Sequence, residues 1–172
     1  MEWQKTTETP FRAGFRRMLT KHFRLPDGRI EEFTIKDEGV TVCILAMTSN
    51  QEIILAKQYR PGPEKILMEL PGGGLEPNET HEEAAARELL EETGYRGELR
   101  AVGVLHDCGY SNMTRHAFVA INCEKIQEPT PDENEFLETV LVSLPDFRSH
   151  LRSGQLTDIE VGYVGLDALN LL

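Results

Sequence analysis

At 172 residues, 40% hydrophobic and 27% charged, the chain has the size and balance of one globular domain. Such a domain buries about two-thirds of its unfolded surface and needs neither disulfides nor a structural metal to fold. Eighteen Lys and Arg against 29 Asp and Glu leave a net charge of −11, which argues against a general nucleic-acid binder with its basic footprint. No apolar run approaches the roughly 20 residues of a membrane span.

Residues 1–30 carry seven Lys and Arg against three acids, a balance of +4 that leaves −15 on the remainder. Met1–Pro10 is polar, without the apolar core of a signal peptide. Cys43, Cys108 and Cys123 are scattered with no CxxC pair, so a cytoplasmic protein without a disulfide framework is expected.

In chain order, Phe11, Phe15, Met18 and Leu19 have helical spacing, although Gly14 interrupts them. Leu25-Pro-Asp-Gly28 is a turn, with Gly where a positive φ is wanted. Ile30–Lys36 alternates Ile30, Phe33 and Ile35 with polar residues and predicts a half-buried strand. Val40–Met47 and Glu52–Tyr59 are β-rich runs joined by the hairpin signal Thr48-Ser49-Asn50-Gln51. Further strands are expected over Ile66–Leu70, Leu99–His106, Thr114–Ile121 and Leu137–Val142. Leu144–Leu151 and Asp158–Leu171 have helical spacing, and Thr157 with Glu160 fits a capping box for the second.

The strongest local signal runs over Pro71–Tyr95, PGGGLEPNETHEEAAARELLEETGY. Thr80 with Glu83 three residues on completes a capping box, alanines follow, and Gly94 stands at the C′ position. Glu88, Glu91 and Glu92 stand at i, i+3 and i+4, on one helical face. Carboxylates that close repel one another unless a positive charge sits among them. A hard divalent cation with oxygen ligands is the economical answer, and Mg2+ is the usual one with phosphates. Arg87 lies one residue off that face and can pair with Glu83 or with Glu79. A solvated acidic helix with ordinary ion pairs is the competing reading.

The combined spacing favours the metal. Gly73, Glu79, Arg87, Glu88, Leu89, Glu91, Glu92 and Gly94 resemble the Nudix box of the Nudix hydrolases, with Tyr95 where the family carries an aliphatic residue. The resemblance implies an α/β Nudix fold, a mixed β-sheet sandwiched between α-helices, preceded here by a small N-terminal antiparallel β-extension. It implies hydrolysis of a nucleoside diphosphate linked to another group. It also implies Mg2+ or Mn2+, one to three ions, held by Glu88 and Glu92. Glu91 then binds metal or orients water, and Arg87 and Glu79 brace the loop–helix–loop or assist the chemistry.

Gln58-Tyr59-Arg60-Pro61 and Glu69-Leu70-Pro71-Gly72-Gly73 resemble the ADP-ribose and nucleoside-diphosphate-sugar pyrophosphatases within that superfamily. So do Leu25–Gly28 and the acidic stretch from Asp132 to Glu138. This implies that Arg60 and Glu69 line the substrate site and that the Gly72 carbonyl adds a metal ligand. It implies that Glu133 or Glu135 supplies the base or a further ligand; a strand-end ion pair of Arg60 with Glu69 is the structural alternative. One departure concerns the substrate. Cys108 stands where ADP-ribose enzymes carry a proline, and Tyr110 lies where adenosine polyphosphate hydrolases carry a tyrosine. Dinucleoside polyphosphate or NADH pyrophosphohydrolysis is therefore an alternative, and a non-catalytic nucleotide sensor a further one. Residues 1–38 are expected to form a dimerisation extension and 39–172 the hydrolase domain of a homodimer. The expected partner is a small-molecule nucleotide, not nucleic acid or membrane.

Overall fold

The computed structural model describes residues 2–131 and 136–172. The chain divides into two units, Met1–Val40 with His106–Arg115, and Thr41–Leu105 with His116–Leu172.

In the first unit, β1 (Gln4–Ala13), β2 (Arg16–Arg24) and β3 (Ile30–Lys36) form a three-stranded antiparallel sheet in that order. The helical spacing at Phe11–Leu19 is resolved as a hairpin. Gly14 turns the chain at φ +64°, and Phe11 and Met18 become cross-strand partners. All ten residues of β1 are exposed, so this edge strand has backbone pairing without a buried face. That is why no alternation marks it in the sequence. The Leu25–Gly28 turn forms as its residues demand: the Gly28 N–H donates to the Leu25 carbonyl at 2.9 Å, with φ +89°. Trp3 packs on Phe23 and Phe33, with ring centroids 6.2 and 5.5 Å away, and Phe33 stacks on Tyr110 at 6.4 Å. Lys36 ties the His106–Arg115 segment down. Its Nζ meets Asp107 at 2.5 Å, and its N–H donates to the Tyr110 carbonyl at 2.9 Å. Each charge favours the other: Asp107 raises the Lys36 pKa, and Lys36 lowers that of Asp107.

In the second unit a six-stranded sheet is built from β4 (Val40–Thr48), β5 (Glu52–Arg60), β6 (Lys65–Glu69), β7 (Tyr95–His106), β8 (Thr114–Lys125) and β9 (Leu137–Ser143). Its order is β6-β5-β4-β8-β7, with β9 pairing β5. The helices are α1 (His81–Thr93), α2 (Leu144–Ser153) and α3 (Ile159–Ala168). β4 explains the layering. Its side chains alternate between faces, and both sets are buried. Val42, Ile44 and Ala46 pack with Ala84, Ala85 and Leu89 of α1. Cys43 and Leu45 pack with Phe147 and Leu151 of α2 and Val161 and Leu166 of α3. The sheet therefore lies between α1 on one side and α2 with α3 on the other. β7 starts four residues before the predicted Leu99, directly after the helix-ending Gly94. No described helix is long and apolar enough to cross a membrane.

α3 reaches the sheet through a glycine. A Cβ at Gly165 would lie 2.7 Å from Leu45 Cδ2 and 2.8 Å from Leu45 Cβ, and Leu45 is itself fully buried. Gly165→Ala should lower stability by about 1–3 kcal/mol through overpacking. Urea denaturation with an unchanged m-value checks it; an Ala variant as stable as wild type would show that α3 can retreat freely.

Candidate active site

The loop leaving β6 is stitched to β4. The Ile44 N–H donates to the Pro71 carbonyl and the Val42 N–H to the Gly73 carbonyl, both at 2.9 Å. That approach leaves no room for side chains. A Cβ at Gly72 would overlap the Val42 carbonyl oxygen and lie 2.8 Å from Cys43 Cα, and a Cβ at Gly73 would fill the place of the Glu88 carboxylate. The glycines are thus required by packing against β4 and α1.

α1 starts where the sequence predicts. The Glu83 N–H donates to Thr80 Oγ1 at 3.2 Å, and the Thr80 N–H donates to Glu83 Oε2 at 2.8 Å. This occupies Glu83, and Arg87 pairs with Glu79 instead. Arg87 Nε and Nη2 donate to the two Glu79 oxygens at 2.8 and 3.0 Å, a bidentate fork. Nη1 donates to Glu88 Oε1 at 2.9 Å and to Glu91 Oε2 at 3.0 Å, and Nη2 reaches the Gly74 carbonyl at 2.9 Å. One guanidinium joins the loop to three carboxylates. The Arg87 pKa is raised, first by Glu79. The Glu79 carboxyl is held below its usual range, by Arg87 first and then by the Glu76 N–H.

Glu92 is buried and accepts the Gly72 N–H on Oε2 at 2.9 Å. Leu89 points into the core. Glu88 is largely covered while Glu91 is 42% exposed. Gly72, Gly73, Arg87, Glu88, Glu91 and Glu92 line a cavity of about 300 Å3. Apart from the Arg87 guanidinium, its polar side chains are carboxylates, the oxygen donors a hard divalent cation takes. The acids are spaced around the cavity by Arg87 and Gly72; among the described residues no three His, Cys, Asp or Glu side chains converge as a closed ligand cluster.

Arg60, at the end of β5, and Glu69, at the end of β6, form an ion pair of 2.5 Å from Nε to Oε2. Glu69 is fully buried, whereas the Arg60 side chain is 40% exposed. Glu133 and Glu135 lie outside the described residues. Two contacts had no local sequence signal. Thr157 donates to Glu69 Oε1 at 2.5 Å across 88 positions of chain. His81, at the start of α1, stacks on His116 of β8, with ring centroids 3.7 Å apart and planes 9° from parallel.

Residues 37–159 match the NUDIX domain family, and the chain belongs to it: this is a Nudix hydrolase. It is 32% identical over 149 residues to an ADP-ribose pyrophosphatase of Bacillus subtilis (strain 168), covering 85% of this chain and 80% of that protein. It is 41% identical over 117 residues to an ADP-sugar pyrophosphatase of Mus musculus, covering 63% of this chain and 53% of that one. A crystal structure of an ADP compounds hydrolase superposes with a TM-score of 0.83 at 18% identity, over 100% of this chain and 98% of the other, which establishes the shared fold. Members of the family generally use divalent cations.

The histidine pair makes a pH prediction. Burial, and then the His81 ring, hold the His116 pKa below its usual value. The unfolded chain therefore takes the proton first, and stability is lost as pH falls below about 6.5. His116→Gln should flatten that part of a melting-temperature profile; an identical slope in wild type and variant would overturn the assignment.

Proposed function

We propose that the chain hydrolyses the diphosphate of ADP-ribose or a nucleoside-diphosphate sugar, with Mg2+ as the working ion. Water oxygen bonds to one phosphorus, the bridging P–O bond breaks, and a nucleoside monophosphate and a phosphorylated second group leave. The observation that carries this is the Arg87-braced cavity, with three glutamates of one helix facing a glycine loop. Glu88, Glu91, Glu92 and the Gly72 carbonyl would hold the cation, which on binding offsets diphosphate charge and acidifies water. Arg87 keeps Glu88 and Glu91 in place, and the exposed side of Arg60 offers donors to a phosphate. Glu135 or Glu133 takes the water proton, with Glu135 preferred because it directly precedes Phe136 and the strand that follows.

The names of the two relatives support an adenosine diphosphate substrate. Residues 1–38, with the fully exposed edge strand β1, are proposed as the dimerisation element of a cytoplasmic homodimer.

A substrate panel with Mg2+ tests the reading: ADP-ribose, GDP-mannose, UDP-glucose, NADH and diadenosine polyphosphates, with products separated by chromatography. Glu92→Gln keeps an acceptor for the Gly72 N–H, so it should fold normally while losing turnover by orders of magnitude. Near wild-type rates in that variant would sink the metal assignment. Mg2+ should raise the wild-type melting temperature by mass action, and this shift should vanish when Glu88 and Glu92 are both Gln.

Glu135→Gln should lower kcat with KM little changed, because proton transfer belongs to the transition state. Full kcat in both the Glu133→Gln and Glu135→Gln variants would move water activation to Glu91.

A further inference from the structure

The pattern Thr157 with Glu160 predicts a capped helix, but α3 starts from Asp158 with no side-chain cap. The Thr157 hydroxyl donates to Glu69 Oε1 at 2.5 Å, with Asp158 Oδ2 a more distant neighbour at 3.3 Å, while Arg60 Nε donates to Glu69 Oε2 at 2.5 Å. Glu69 has no exposed surface. A buried carboxylate must have its charge balanced and its lone pairs filled. Arg60 balances the charge, and Thr157 fills the second oxygen.

That second bond has a mechanical consequence. A terminal carboxyl torsion is broad, so a carboxylate anchored at one oxygen can turn and take its partner with it. Anchored at both, it fixes the direction of Arg60 Nε. Among the described residues the guanidinium is engaged at Nε alone, so its Nη groups remain for a ligand. Glu69 also stands three residues before Gly72, whose N–H holds Glu92. Three residues span at most about 11 Å, so this relay and the carboxylate cavity share one short, stitched segment.

We infer that Thr157 is a positioning residue for substrate binding, acting through Glu69 to hold the Arg60 guanidinium against an anionic oxygen of the substrate. This rests on the reading of Arg60 as a phosphate contact. It gives the segment before α3 a part in affinity, although Thr157 itself touches no substrate. The role requires a hydroxyl and not a shape, which separates it from packing: Val keeps the branched outline of Thr and loses the donor, whereas Ser keeps the donor and loses a methyl.

Steady-state kinetics with ADP-ribose and Mg2+, alongside melting temperatures, test this on wild type, Thr157→Val, Thr157→Ser, Arg60→Ala and the Arg60→Ala/Thr157→Val pair. Thr157→Val should raise KM about three- to tenfold, the weight of one hydrogen bond, with kcat within about twofold. Thr157→Ser should restore KM. In the Arg60→Ala background, Thr157→Val should add nothing, because its route to the substrate is gone. An unchanged KM in Thr157→Val, with KM raised in Arg60→Ala, overturns the inference and leaves the site reading intact. So does a Ser variant that behaves like Val. An unchanged KM in Arg60→Ala removes Arg60 from the substrate, and the relay's role falls with it. If wild type leaves ADP-ribose intact, the same comparison of KM is made with whichever nucleoside-diphosphate sugar it hydrolyses, and the same outcomes decide.

Discussion

Arg87 is the group on which the catalytic face depends. Glu88, Glu91 and Glu92 crowd little more than one turn of α1, and without a cation among them their mutual repulsion would work against the helix. The guanidinium supplies that cation from within the chain. Its planar fork takes Glu79 bidentately and still reaches Glu88, Glu91 and the Gly74 carbonyl. No lysine could do this, since an ammonium is a point charge with three donors and no fixed plane. The same network joins loop to helix, so cavity shape and acid placement depend on one another.

The rigidity of that arrangement comes from the sheet. β4 is buried on both faces and holds the glycine loop by backbone bonds, while its neighbours in the core press α1 from the same side. The loop cannot drift without losing hydrogen bonds that no water replaces cheaply. Glu92 is the clearest product of this. Its carboxylate is buried yet satisfied by the Gly72 N–H, so an acid is kept out of bulk solvent at the edge of a polar cavity. Burial of this kind preorganises a carboxylate for one geometry.

A second buried carboxylate, Glu69, lies a few residues away and is satisfied by an arginine and a hydroxyl from separate elements. Short polar contacts between distant segments therefore appear twice along the same stretch, Glu69 to Gly73. Both sit at the end of β6, where the strand gives up regular pairing and its backbone turns to serve the site. The N-terminal unit is organised otherwise, by aromatic stacking around Phe33 and by the Lys36–Asp107 pair.

The sequence by itself determined α1, its cap and its end, because these are set by residues within four positions of one another: Thr80 with Glu83, and Gly94 after Thr93. It determined the face shared by Glu88, Glu91 and Glu92 by helical geometry alone, and it marked Val40–Met47 as a strand, while only the fold showed that both faces of β4 are buried. It left Arg87 with two candidate partners, and only the folded loop decided for Glu79, since Glu83 was already committed to the cap. It left Phe11–Leu19 ambiguous, helical in spacing but interrupted by Gly14, because period alone cannot register that Phe11 and Met18 meet across a hairpin. Thr157 shows the limit most plainly. Its local pattern is a good cap, yet α3 starts from Asp158 without a side-chain cap, and the Thr157 hydroxyl donates to a carboxylate 88 positions away that burial cuts off from water and leaves in need of a donor.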